Sequence, residues 1–151
     1  MPNVAATVGQ SMTALTATRA TDAQVAAVRS LMDSVGRTIL IDEDYFPVFQ
    51  ALASCSPAWY FQIVDSFARA GLKYGLSKDS AVEIAAQAMA GAAALLLAER
   101  EAGTIPAQLI DRVTSPGGTT IAGLLAAEEG GLSTALVGAV DASIHADSHL
   151  G

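Results

Sequence analysis

Two short stretches near the start of the chain carry the pattern that is typical of β-strands. Met12 to Ala17 alternates loosely, and Thr38 to Ile41 is a short β-branched run. Between them, apolar residues recur at helical spacing from Val25 to Val35, after Thr21, which is a favourable N-cap residue. The pattern therefore predicts a β-α-β unit over residues 10–41.

After the second strand, the apolar residues keep helical spacing and the strand pattern disappears. Residues 42–44 open a helix in which Pro47 fits only within the first turn. Ser56 and Pro57 have the residue types of an N-cap and first helical position, so they predict the start of a long second helix. We expect the rest of the chain to be entirely α-helical.

The next predicted helix is apolar on nearly every face. It begins after Ser77 and runs to Leu97, and Gly91 lies in a stretch with almost no side-chain bulk. A helix that is apolar all round is normally buried on every side. In a chain of this size, a second subunit supplies that burial most easily. We therefore predict an obligate helical dimer, with a monomeric bundle built around this helix as the alternative.

Composition excludes several classes of partner. The 151 residues carry a net charge of −7, and no Lys or Arg follows Arg112, which argues against nucleic-acid binding. A single Cys cannot form an internal disulfide, so a reducing, cytoplasmic location is expected. The longest apolar run, Ile84 to Ala98, is shorter than the roughly 20 residues of a membrane span. We expect no membrane partner.

One segment offers the most groups that could bind a ligand, because it combines two glycines and several hydroxyls ahead of a helix. Gly117 and Gly118 precede Thr119 and Thr120, and an apolar helical pattern follows. Free amides and the positive end of the helix dipole make such a turn a seat for a carboxylate or phosphate. Thr120 adds a hydroxyl beside that anion. The alternative is an ordinary helix cap in which Thr119 or Ser115 supplies the capping oxygen.

Other reactive side chains are weaker candidates. Cys55 has no base near it in sequence. His145 and His149 are four residues apart and, with Asp141 and Asp147, have metal-ligand chemistry, but a solvated helix end is the commoner arrangement. We therefore predict no metal site. The sequence contains neither a glycine-rich dinucleotide fingerprint nor a P-loop.

The longest distinctive stretch is Val113 to Leu124, followed by Glu128. It resembles pyrroline-5-carboxylate reductase, the last enzyme of proline biosynthesis, and it is close to diagnostic of that family. The shorter matches agree with it in order and spacing over essentially the whole chain; they are Met1-Pro2-Asn3, Pro57-Ala58-Trp59 with Asp65, Ala70-Gly71 and Gly75-Leu76, and Gln87 to Ala93.

The resemblance implies a mainly α fold with a recognisable division. Residues 42–151 would form a helical dimerisation and substrate-binding domain of the 6-phosphogluconate-dehydrogenase C-terminal type. Residues 1–41 would be a β-α-β remnant of an NAD(P)-binding Rossmann domain. This would explain two strands that lack the rest of a sheet. It also leads us to expect that the upstream glycine fingerprint is missing because the chain is truncated.

The resemblance also implies an activity and a set of site residues. The family transfers a hydride from NADPH or NADH to the C=N carbon of 1-pyrroline-5-carboxylate and yields L-proline. Thr120 would be the catalytic residue, with its hydroxyl near the ring nitrogen. The substrate carboxylate would be held by Ser115, Gly117, Gly118, Thr119 and Thr120, while Pro2 and Asn3 would lie near the nicotinamide. Without the fingerprint, we expect neither cofactor to bind tightly to this chain alone.

Two further functions stay open on the sequence. The chain could be a non-catalytic dimerisation module that binds an imino acid, or a purely structural dimer whose loop only caps a helix. One departure from the family pattern bears on the packing. Ser54-Cys55-Ser56 stands where the family usually has Gly-Ser-Gly, and it is bulkier at both glycine positions. If those glycines serve close packing, the neighbouring chain must shift.

Overall fold

The structure is a computed structural model that describes residues 1–147 and 149. Within that part of the chain the fold is mainly helical with one parallel pair of strands, which confirms the predicted fold class. In order, the elements are a 3-10 turn (Val4–Val8), β1 (Ser11–Leu15), α1 (Asp22–Asp33), β2 (Gly36–Leu40), a 3-10 turn (Glu43–Tyr45), α2 (Phe46–Phe49), a π-helical segment (Gln50–Cys55), α3 (Ser56–Lys73), α4 (Lys78–Glu99), a 3-10 turn (Arg100–Ala102), α5 (Pro106–Val113), α6 (Thr119–Glu129) and α7 (Leu132–Asp147).

The predicted β-α-β unit is present, with small differences at its ends. Helix α1 begins with a capping box, in which the Thr21 hydroxyl accepts from the Gln24 amide and the Gln24 side chain accepts from the Thr21 amide. Strands β1 and β2 pair in parallel from Ser11 and Gly36 onward. A Cβ on Gly36 would overlap the Ser11 backbone, so glycine allows the strands to meet there.

The chain divides into two compact units, each described by itself. The first contains Met1–Tyr60 together with the described residues from Val137 onward. Its core is small, and it consists of Ala14 on β1 and Phe49 and Ala53 on the following helical segments. Alanine packing of this kind brings backbones close together but buries little apolar surface.

The helix that contains Ser56 and Pro57 begins earlier than the sequence predicts. Residues from Phe46 to Lys73 are helical without a break, passing through the π-helical segment. The Ser56 amide already donates to the Ala51 oxygen, five residues back, and Ser56 has helical dihedral angles. The predicted N-cap at Ser56 is therefore wrong, because the chain is already helical there. Pro47 lies in the first turn of α2, as predicted.

The second unit, Phe61–Leu136, contains the short turn that joins α3 to α4. Gly75, with φ +94°, follows the end of α3, and the Ser77 hydroxyl caps α4, as the sequence predicts. The two helices approach closely, since a Cβ on Gly71 would lie 2.8 Å from the Cβ of Ala81. Small residues at this position therefore set the spacing of the helices.

Most of α4 lacks cover within the described chain. Ala81 is its one buried residue, and Leu95 and Leu97 are about half exposed. With the 3-10 turn that follows, the helix runs over Lys78–Ala102, and it is long and apolar enough to cross a membrane by length and composition alone. Those two criteria do not separate a membrane span from a helix that is buried between subunits. An apolar groove of about 400 Å³ lies beside it, lined in part by Phe67 and Ile84.

Candidate functional site

The segment between α5 and α6 forms a tight turn whose backbone amides lead into a helix. The Gly118 amide donates to the Ser115 oxygen at 2.9 Å. Pro116 and Gly117 occupy the two central positions, and Gly117 has φ +68°. A type II turn favours proline at the first of these positions and requires a positive φ at the second. The residue types therefore determine this turn locally.

Helix α6 begins at this turn without a side-chain cap. Gly118 is the N-cap residue, with extended dihedral angles, and no side chain accepts from the first-turn amides. The alternative in which Thr119 or Ser115 supplies the capping oxygen is therefore not observed. A Cβ on Gly118 would overlap the Ser115 hydroxyl and lie 3.1 Å from the Ser115 oxygen. Glycine at position 118 thus leaves room for the Ser115 side chain beside the start of the helix.

The predicted substrate-binding residues are brought together around these amides. Ser115, Thr119 and Thr120 are exposed, and their hydroxyls have no hydrogen-bond partner among the residues that the structure describes. The first turn of α6 contains no acidic residue. The arrangement therefore offers uncharged donors at the positive end of a helix dipole, which suits a small anion.

A charged contact that the sequence analysis missed lies just before the turn. Arg112 in α5 donates through Nη1 to both oxygens of Glu99, at 2.7 and 2.5 Å. The Thr104 hydroxyl also donates to Glu99, at 3.3 Å. Arg112 is the last Lys or Arg of the sequence, and this pairing neutralises it. The sequence signal that could have indicated this pairing is two opposite charges, Glu99 and Arg112, 13 residues apart on either side of Gly103.

Pro2 and Asn3 lie in the first compact unit. The predicted substrate loop, residues 115–120, lies in the second. The Asn3 side chain accepts from the Ala5 amide at 3.2 Å and donates through Nδ2 to the Ala53 oxygen at 2.8 Å. One Nδ2 hydrogen is left after these bonds. Asn3 therefore has a clear structural role in the first compact unit, and its predicted position near the nicotinamide stays a prediction.

The remaining reactive side chains form no cluster in the described chain. Over residues 1–147 and 149, no group of three His, Cys, Asp or Glu side chains has the arrangement to hold a metal ion. The rings of His145 and His149 meet edge to face, with centroids 4.5 Å apart, and His149 Nδ1 lies 2.7 Å from the His145 oxygen. Cys55 is half-buried in the π-helical segment.

Asp65 is the centre of a second ionic contact, which ties α3 to α4. It accepts from Lys78 Nζ at 2.6 Å and from Arg69 Nε at 2.7 Å. The hydrogen bond from Lys78, aided by Arg69, lowers the pKa of Asp65 below its usual 3.8. Because this contact joins two consecutive helices, α3 and α4, we assign it a structural role.

Residues 43–150 match the family model for pyrroline-5-carboxylate reductase dimerisation. The chain belongs to this family. The match spans every element from the 3-10 turn before α2 through α7, and it includes the glycine turn. Membership of the pyrroline-5-carboxylate reductase dimerisation family makes self-association the expected state of the domain.

Three relatives illustrate the similarity. The chain is 41% identical over 119 residues to a pyrroline-5-carboxylate reductase from Treponema pallidum, covering 79% of this chain and 44% of that protein. A solved reductase from Coxiella burnetii matches with a TM-score of 0.92 and 31% identity, over 100% of this chain and 56% of the other. A Plasmodium falciparum pyrroline carboxylate reductase, solved with NADP bound, matches with a TM-score of 0.86 and 25% identity, over 100% and 60%. The chain thus spans about half the length of the relatives that it matches.

The connection between β1 and α1 does not have the features that bind the pyrophosphate of a dinucleotide. Such a group binds at a glycine-rich turn between a strand and a helix with open N-terminal amides. The connection between β1 and α1, residues 16–21, contains no glycine. The Thr21–Gln24 capping box also occupies the start of α1.

Proposed function

We propose that this chain is the substrate-binding and dimerisation portion of a pyrroline-5-carboxylate reductase. The complete reaction reduces the C=N bond of 1-pyrroline-5-carboxylate to give L-proline. NADPH or NADH supplies the hydride when it is bound, and the fold places the substrate in position to receive it. The contribution of the described residues is then to bind and orient a cyclic imino acid.

In this proposal, each part of the loop has one task. The amides at Gly118 and Thr119, with the Ser115 hydroxyl, hold the substrate carboxylate. Gly117 supplies the positive φ that turns the chain toward the helix. The Thr120 hydroxyl forms a hydrogen bond at the ring nitrogen, which makes it the catalytic residue. Uncharged donors are sufficient because the helix dipole already favours an anion there.

The observation that carries the proposal is the contrast between two helix starts in one chain. Helix α1 is closed by the Thr21–Gln24 box, whereas α6 starts at Gly118 with no side-chain cap. An uncapped start is costly unless water or a ligand satisfies the amides. The family match over residues 43–150 makes an imino-acid carboxylate the ligand of choice.

We also propose the cellular setting from the same family membership. The active form would be a homodimer in the cytoplasm, with the exposed apolar face of α4 buried between two chains. We propose NADPH or NADH as the cofactor of the complete enzyme, and for this chain alone we expect negligible turnover. Light scattering of the purified protein gives the subunit count directly.

A calorimetric titration of the purified chain with L-proline tests the loop. We expect saturable binding and a rise in melting temperature that follows the ligand concentration. Thr120→Ala should weaken proline binding by roughly 3- to 10-fold, as the loss of one hydrogen bond implies. Thr134→Ala removes a hydroxyl from the first turn of α7 and serves as the matched control, with unchanged affinity expected.

The outcomes separate the three functions. Proline binding that is weakened roughly 3- to 10-fold in Thr120→Ala but unchanged in Thr134→Ala supports a substrate site. Binding that tolerates Thr120→Ala supports an imino-acid-binding module without a catalytic role for Thr120. A well-folded dimer that binds no proline contradicts the proposal and leaves only the structural role.

A further inference from the structure

The helix that leads into the substrate loop gains little of its position from burial. None of the residues of α5 is buried, and Thr114 alone separates Val113 from Ser115. An element with no buried side chain is free to shift unless other contacts fix it. The direction in which the loop leaves α5 therefore depends on polar contacts.

Glu99, at the end of α4, supplies those contacts. Its carboxylate accepts Arg112 Nη1 at 2.7 and 2.5 Å and the Thr104 hydroxyl at 3.3 Å. The Glu99 side chain is 28% exposed, so this ion pair is screened less than a fully solvated one. One carboxylate thus joins the end of α4, the connecting turn and the last turn of α5.

The last turn of α5 is in turn joined to the substrate loop. The Thr114 hydroxyl donates to the Ile110 oxygen at 3.0 Å and lies 3.3 Å from the Asp111 oxygen. The next residue is Ser115, whose oxygen accepts the Gly118 amide and closes the turn. A movement of Arg112 relative to α4 therefore moves the turn that opens onto α6.

We propose that Glu99 is a positioning residue for the substrate loop, acting through Arg112. It fixes the last turn of α5, and so it fixes the direction in which the Ser115–Gly118 turn presents the amides of α6. It also keeps the guanidinium engaged, so that uncharged donors alone face the ligand. This inference rests on the proposed function of the loop for its effect on binding, but not for its effect on the loop itself.

Two readouts on Glu99→Gln test the two parts separately. The first is hydrogen exchange, without ligand, of the backbone amides within residues 106–118, where Pro106 and Pro116 have none. The second is the affinity for L-proline. We expect exchange in that segment to rise by about threefold or more and proline affinity to fall roughly threefold, the scale of a partly exposed ion pair. Asp65→Asn breaks the ion pairs of Asp65 with Arg69 and Lys78 in the same unit and should change neither readout.

A charge-reversed pair separates positioning from general damage. Glu99→Arg combined with Arg112→Glu restores the ion pair with opposite polarity, so it should recover slow exchange and proline affinity. Glu99→Arg alone should show the defects of Glu99→Gln or larger ones. A merely destabilised chain would not be rescued by the second substitution.

Each outcome has a defined meaning. Unchanged exchange over residues 106–118 in Glu99→Gln overturns the inference whatever the affinity does. Faster exchange with unchanged proline affinity overturns the link to binding. If exchange rises but the unsubstituted protein binds no proline, the proposed function fails, while the role of Glu99 in holding the loop is supported.

Discussion

The side-chain amide of Asn3 donates to the backbone oxygen of Ala53 at 2.8 Å, across 50 residues of sequence. Pro57 lies four residues after Ala53 and has no N–H, so it cannot supply the α-helical hydrogen bond to that oxygen. A buried carbonyl without a donor is costly. Asn3 therefore docks the N-terminal turn on the helical segment, and we expect it to supply the donor that Pro57 cannot.

A double-mutant cycle tests whether the Asn3 side chain takes the place of the backbone donor that Pro57 lacks. Asn3→Ala should lower the free energy of unfolding by about 1–3 kcal/mol, because it leaves the Ala53 oxygen without its side-chain donor. In a Pro57→Ala background an amide is available at position 57, so Asn3→Ala should cost less. Urea unfolding of the four proteins gives the coupling. Equal costs in both backgrounds would show that the Asn3 bond is independent of the proline.

The two serines around Cys55 should differ sharply in their effect on stability. The Ser56 hydroxyl donates to the Leu52 oxygen at 2.6 Å, and Ser56 is buried, whereas Ser54 is exposed. The Ser56 amide is already used by Ala51, and Pro57 has none. We expect Ser56→Ala to cost about 1 kcal/mol in urea unfolding and Ser54→Ala almost nothing. Comparable costs for the two would contradict this account of the hydroxyl.

The ion pairs of Asp65 should make stability depend on pH in the acid range. Lys78 and Arg69 lower the pKa of Asp65 below 3.8 in the folded chain. The unfolded state therefore binds the proton more readily, so the stabilisation is complete above the ordinary pKa and is lost as pH falls through the folded value. Melting temperatures of the unsubstituted protein and Asp65→Asn should converge below about pH 3.8. A constant difference down to pH 2.5 would rule out this contribution.

Replacing Gly117 and replacing Gly118 should impair the substrate loop for different reasons. Gly117 has φ +68° and open space around it, so Gly117→Ala should cost roughly 1 kcal/mol of backbone strain while Gly117→Asn costs less. Gly118 has ordinary dihedral angles, but its Cβ would overlap the Ser115 hydroxyl. Gly118→Ala should therefore weaken proline binding more than it lowers the melting temperature. Thermal melts with and without proline distinguish the two cases.

The sequence predicted those features of the fold that depend only on neighbouring residues, namely helix caps and turns. Thr21 and Ser77 cap helices, and Pro116-Gly117 forms the turn, because each needs only its own neighbours in sequence. The resemblance to the reductase family could point to Ser115–Thr120 as a substrate loop for the same reason, since those residues are contiguous, and that role stays a prediction.

Contacts between distant residues were not accessible in the same way. No pattern in the sequence indicates that Asn3 bonds to Ala53, because the partner is a backbone oxygen that any residue carries. The N-cap prediction at Ser56 failed because Ser-Pro is typical of a helix start, while here a π-helical segment leads into it. The pairing of Glu99 with Arg112 required knowing that the chain reverses at Gly103 and brings α5 back toward α4.

The exposed apolar surface of α4 links folding to assembly. A chain that covers this helix only by association has a folded population that rises with protein concentration, by mass action. The melting temperature of this domain should therefore increase on concentration, and variants should be compared at one protomer concentration. Dilution alone should then lower the folded fraction of the protein. The domain should resist unfolding best in cells that contain it at high concentration.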